Sequence, residues 1–225
     1  MKLKKTLALA IVCLVISGAN LYAADSNKPI DLSADVVEYD TETGVITATG
    51  SVKMLQDNAT LTGNIAKYNN KTKEGFVGGN VLVKKENLTI KAAQVVTAGN
   101  NQITATGDVV ATEADKILTG SKIDYYMDKE YAIIPENAKI TMADGTMTAD
   151  KLEAYTRDNH IFAEGNVHIV SDTKNLEATA DKAAYYGEEK GKVILSGNAM
   201  AVQDNNTLRG NNLTLYLAGE KEATE

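Results

Sequence analysis

ADVVEY, from Ala34 to Tyr39, returns as GNIAKY from Gly63 to Tyr68 and as AAQVVT from Ala92 to Thr97, and the rest of the chain is read outward from this recurrence. Four more copies follow, GSKIDY from Gly120, ADKLEA from Ala149, ADKAAY from Ala180 and GNNLTL from Gly210, at intervals of 28 to 31 residues. A second unit stands between them: Gly50-Ser51-Val52, Gly79-Asn80-Val81, Gly107-Asp108-Val109, Glu136-Asn137-Ala138, Gly165-Asn166-Val167 and Gly197-Asn198-Ala199. Two interleaved signals with one period mark an array of a single supersecondary unit.

Side chains two apart on a strand face the same way. Around the glycine unit the alternation is regular: Ile46, Ala48, Gly50, Val52 and Met54 share a face, as do Ile161, Ala163, Gly165, Val167 and Ile169. Around the first unit the parity flips. Leu61 and Gly63 are followed by Ala66 and Tyr68, and Met147 and Ala149 by Leu152 and Ala154. A strand keeps one face apolar through such a phase change only where it bulges or turns a corner, so a bend is expected at each Ala/Gly-Asp/Asn/Ser step. Polar punctuators such as Asp40 to Gly44, Asn69 to Glu74 and Ser171 to Asn175 read as turns. They delimit about thirteen strands or half-strands and leave no amphipathic helix.

Composition agrees. The 225 residues hold no tryptophan and two phenylalanines, so a core must come from Val, Ile, Leu, Ala and Tyr, and Thr, Val, Ile and Tyr favour strands. Lys2, Lys4 and Lys5 precede the apolar run Leu7 to Ile16, and Leu21-Tyr22-Ala23 offers a cleavage point. Residues 1–23 therefore read as a secretory signal too short to span a membrane, and 24–29 as a lead-in. The single cysteine, Cys13, lies inside the signal behind Ile11 and Val12, which excludes disulfides from the mature chain and argues against lipidation. Removing three lysines from 23 basic residues against 30 acidic ones leaves a net charge of −10. An acidic surface disfavours nucleic acid and broad docking on anionic membrane.

The alternating A-D-x-φ-x-Y and G-N-V elements, from Ile30 to Leu217, resemble the OstA-type domain of the LptA family of lipopolysaccharide-transport periplasmic proteins. That resemblance implies an open, twisted β-jellyroll over residues 30–217, with a charged tail at 218–225 expected to be disordered. It also implies a periplasmic protein that binds lipopolysaccharide through its lipid A in a hydrophobic interior. Such proteins form head-to-tail homo-oligomers between an inner-membrane-anchored protein and an outer-membrane transport protein. The chain departs from the pattern at Pro135-Glu136-Asn137-Ala138, where a proline that cannot donate to a ladder points to an edge, bulge or kink.

An acyl chain in water costs about 0.8 kcal/mol per methylene, so a dozen cost on the order of 10 kcal/mol. A carrier must line them continuously. The candidate lining is Ile30, Leu32, Leu61, Ile65, Phe76, Ile90, Ile103, Ile123, Leu152, Ile161, Leu176, Leu195 and Leu208. Val37, Tyr39, Leu213 and Leu215 mark the first and last strands as oligomer edges, because terminal strands carry unpaired backbone groups. His160 and His168 share a parity but lack the companions of a metal site. No nucleophile elbow, phosphate loop or dinucleotide fingerprint occurs, so neither enzyme activity nor a cofactor is expected. A structural or adhesive β-solenoid is the rival reading, and a membrane-anchored member of the same transport route, retaining Leu7 to Ile16, is a third.

Overall fold

The structure, a computed structural model, describes residues 31–56, 58–98, 101–143, 145–155, 157–158, 160–187 and 191–216. The expected signal, the lead-in, Ile30 and the tail lie outside the described residues. Two compact units are present, one covering the described residues up to 129 and one those from 130 onward. The division falls at the 3-10 turn Met127–Lys129, inside what the repeat period reads as one array.

In the first unit the strands are β1 (Asp31–Ser33), β2 (Val36–Asp40), β3 (Val45–Gln56), β4 (Ala59–Asn69), β5 (Glu74–Lys85), β6 (Leu88–Ala98), β7 (Gln102–Glu113) and β8 (Lys116–Tyr126). From β3 to β8 each pairs antiparallel with its sequence neighbours, while β1 and β2 pair with the two halves of β3. The turns obey their Asx chemistry. Asp40 Oδ1 accepts from the backbone N–H of Glu42 at 2.8 Å and of Thr43 at 3.1 Å, and Asn69 Oδ1 does the same for Lys71 and Thr72.

The second unit holds β9 (Tyr131–Ile134), β10 (Ala138–Met142), β11 (Gly145–Ala149), β12 (Lys151–Tyr155), β13 (His160–Ser171), β14 (Leu176–Tyr186), β15 (Lys192–Gln203) and β16 (Asn206–Tyr216). Here β11 and β12 take the two halves of β13, β10 pairs with β11 and β9 with β12, and β13 to β16 run as an antiparallel meander. Antiparallel pairing of sequence neighbours is not how the coils of a β-solenoid stack, which sets that rival aside.

The expected corners are present, and their mechanism is a paired one. In β3–β4 the register jumps between Thr49↔Ile65 and Val52↔Gly63, so Gly50 and Ser51 face Asn64 alone. The same two-against-one count recurs at Gly79-Asn80, Gly107-Asp108, Gly165-Asn166 and Gly197-Asn198, and in each pair both residues have positive φ. The extra residue thus belongs to the glycine unit, and the parity flip read in the first unit is its consequence on the facing strand. Gly165, at φ +78°, shows why glycine is needed. A Cβ there would run into the Asp150 carboxylate, which accepts from Asn166 Nδ2 at 2.9 Å while the Asp150 N–H donates to the Gly165 carbonyl at 2.8 Å.

Where the glycine is replaced by Glu136, after Pro135, the strand is cut into β9 and β10 and only Asn137 keeps positive φ. Strands also break at Asp35 and Asp150, yielding more and shorter elements than periodicity alone suggests.

Candidate lipid-facing interior and an outer aromatic groove

The corner geometry keeps one face apolar along every long strand. In β4, Leu61 and Gly63 are buried before the corner and Ala66 and Tyr68 after it; in β6, Leu88, Ile90 and Ala92 give way to Val95 and Thr97. Cross-strand partners share a face, so the inner rows can be followed by register: Met54, Leu61, Val83 and Ile90 form one, and Ala154, Ile161, Tyr185 and Val193 another. Alanine takes many inner positions, among them Ala48, Ala111, Ala178 and Ala201.

Eight of the expected lining residues, Leu61, Ile90, Ile103, Ile123, Leu152, Ile161, Leu176 and Leu195, are buried on this face. Leu32 and Leu208 share it through their partners Met54 and Ala201; Leu32 is half-buried and Leu208 is 55% exposed, because each lies in a terminal strand. Two residues are misassigned. Ile65 and Phe76 stand at the opposite parity to Ala66 and Val77 and face outward. The Phe76 ring lies over Gly78, where a Cβ would come within 2.7 Å of its Cζ, with Ile65 beside it. Parity separates both positions from the inner rows, and a large apolar side chain does not by itself imply burial: Phe76 is one residue out of phase with Val77-Gly79-Val81, and Ile65 falls on the outer side of the flip. Ile30 lies outside the described residues.

The interior is almost wholly apolar. Thr97 Oγ1 is buried there without a hydrogen-bond partner, and Ser171 Oγ lies 3.2 Å from Thr173 Oγ1. A cleft of about 30 Å³ lies beside Met147, Ile169, Leu176, Tyr185 and Val193. It has room for about two waters and none for an acyl chain.

The outer face of the second unit is different. A groove of about 430 Å³ runs over β12 to β15. Its floor is set by register: Lys151, Glu164, Lys182 and Ser196 form one row, and Glu153, Phe162, Ala184 and Ile194 the next. Lys182 Nζ lies 2.7 Å from Glu164 Oε1, and Lys151 Nζ 2.5 Å from Glu153 Oε1. The hydrogen bond from Lys182 holds the Glu164 carboxyl below its ordinary value, and Glu153 raises the Lys151 ammonium. Next to these two rows, along the margin of the groove, runs an aromatic row, of which Tyr186 lines the cavity itself. Tyr155, His160 and Tyr186 are successive cross-strand neighbours, and Tyr131 extends the row on β9. Ring centroids are 4.9 Å apart for Tyr131–Tyr155 and for His160–Tyr186, and Phe162 meets Tyr155 edge-on at 5.7 Å. His168, farther along β13, lies 2.8 Å from Glu177 Oε1. Sequence reasoning missed this groove, although Phe162 already stands at the parity opposite to Ile161 and Ala163.

The family model described as LptA/(LptD N-terminal domain) LPS transport protein matches residues 62–159 and 100–221, together well over half of the chain. The chain belongs to this family. The resemblance read from the repeat is confirmed, and the all-β class stands with it, as antiparallel sheet among the described residues. The family is one of LPS transport, as its description states. Among solved structures, LptH, described as the LptA-homologous periplasmic component of the lipopolysaccharide transport device of Pseudomonas aeruginosa, is similar at 17% identity. The match covers 66% of this chain and 98% of that one, with a TM-score of 0.36. No curated protein matches. For this LPS transport family member, the inner apolar rows and the outer groove are two chemically distinct surfaces, one without charge and one with paired charges and rings.

Proposed function

We propose that this chain is a periplasmic, non-catalytic carrier that shields the acyl chains of lipopolysaccharide on the way from the inner to the outer membrane. The supporting observation is the mainly apolar inner face of each unit, kept through every bulge by the paired corner and lined with leucine, isoleucine, valine and alanine. Burying a dozen methylenes there offsets on the order of 10 kcal/mol of exposure per chain.

Away from the terminal strands the inner side chains are shut off from water, so acyl entry there requires them to repack. The many alanines favour this, since at their positions there is no long side chain to displace. Photo-crosslinkers placed at Leu61, Ile90, Ile161 and Leu195 are expected to capture lipid A, and crosslinkers at the outward Lys67, Thr104 and Phe162 are not. Equal capture from both faces would remove the proposal.

The terminal strands carry the second part of it. In β2, Val37 and Tyr39 partner Ala48 and Ile46, and in β16, Leu213 and Leu215 partner Leu195 and Val193. All four continue the inner face, and Val37 is 49% exposed. Head-to-tail addition of β16 of one copy to β1 and β2 of the next would extend the apolar face from molecule to molecule. Transport proteins anchored in the inner and outer membranes would meet the ends of such an array. Export with cleavage after Ala23 predicts a mature N-terminus at Ala24, read by mass spectrometry of the periplasmic protein; a retained leader would favour the membrane-anchored member of the route.

A further inference from the structure

We propose that the outer groove of the second unit is a glycan-binding site that takes a short run of neutral pyranose rings from a polysaccharide separate from the carried lipid. The site uses the face of the sheet opposite to the apolar interior and stands or falls independently of the lipid-carrying reading.

The first argument is the aromatic row. Cross-strand ring pairs stabilise sheets, but a ladder of this repeat does not need a ring at each of these positions. In the first unit the same repeat positions are filled by Asp40, Val45, Asn69, Glu74, Ala98 and Gln102, with Tyr126 the one ring at the end of the row. Concentrating Tyr131, Tyr155, His160 and Tyr186 in one row, with Phe162 beside it, exceeds what the ladder requires. Phe162 and Tyr155 are each 36% exposed, a large apolar area to leave against water. Such a platform matches the flat C–H face of a pyranose.

The second argument is charge. Lys151 and Lys182 are balanced by Glu153 and Glu164 and lie within 2.7 Å of them. A phosphate or other polyanion would meet as much repulsion as attraction. An apolar helix laid over the groove would desolvate four charges without replacing their water. A neutral polyol can donate to the carboxylates and accept from the ammoniums while its C–H face covers the rings. Volume agrees, since about 430 Å³ is within the range of small-ligand sites.

The test is a titration of the full mature chain with cellohexaose, maltohexaose and chitohexaose, and with the lipid-free glycan released from a lipopolysaccharide, followed by NMR. At least one neutral hexaose is expected to shift the ring signals of Tyr155, Phe162 and Tyr186. The double variant Tyr155→Ala/Phe162→Leu is expected to weaken that binding about tenfold, the loss of two ring faces, and Phe76→Leu on the other unit to leave it unchanged. The wild-type ring shifts localise the ligand even if the double variant folds poorly. Absence of shifts with all three hexaoses, unchanged binding by a folded double variant, or tighter binding of the lipopolysaccharide glycan than of any hexaose would overturn the assignment.

Discussion

At Gly165, the backbone conformation and the crowding by Asp150 leave no place for a Cβ. Gly165→Ala is expected to lose about 2 kcal/mol of stability, the strain of a side chain held at positive φ, as read from urea unfolding. A variant as stable as the parent would mean that the corner relaxes freely. Thr97 makes the opposite case. Its hydroxyl is buried in the apolar interior with no partner, and Thr97→Val removes that group while keeping the branched shape. A gain of about 1 kcal/mol is expected; a loss would show that the hydroxyl has a role the apolar surroundings do not suggest. These two residues differ in how far the sequence reveals them. The glycine announces itself by recurring with Asn166 behind it, whereas nothing in Val95-Val96-Thr97 says that the threonine is the inward one until the parity flip at Ala92-Ala93 is counted.

Elements carry the charges. On β13 and β14, Glu164 is held in its ionised form by Lys182, so its native pKa lies below the ordinary 4.5. The folded state then binds fewer protons than the unfolded chain, and the contribution is whole above the ordinary carboxylate range and fades as pH falls through the lowered value. The pair is exposed and its effect small. The thermal midpoint of the parent is expected to fall more steeply than that of Glu164→Gln between about pH 5 and pH 3, and parallel curves would show that the pair contributes nothing. Asp40, held low by its hydrogen bonds from Thr43 and Glu42, acts in the same direction at the β2–β3 turn. The elements themselves were largely readable: the alternation located the long strands and the Asx clusters their turns. The sequence marks Asp35 and Asp150 as bends and Pro135 as an edge, bulge or kink, but not that the strand is cut there, because periodicity records which face a residue takes and not whether the ladder hydrogen bonds survive the corner.

For the molecule as a whole, self-association and lipid capture are the quantities to measure. Replacing Leu213 and Leu215 together with lysine places charge on the inner side of β16 and is expected to hold the protein as a monomer in light scattering over concentrations at which the parent grows in mass. A parent of constant monomer mass would remove the head-to-tail proposal outright. What the amino-acid order determined alone was the period, the all-β class, the family and most of the inner face, since these follow from side-chain parity and glycine spacing, which are local properties of the chain. Tertiary structure decided the rest. It turned Ile65 and Phe76 outward, gave the extra residue of each corner to the glycine strand, and assembled the ring row from β9, β12, β13 and β14. Each of these depends on register between strands, which is fixed by pairing partners in space and written in no single strand.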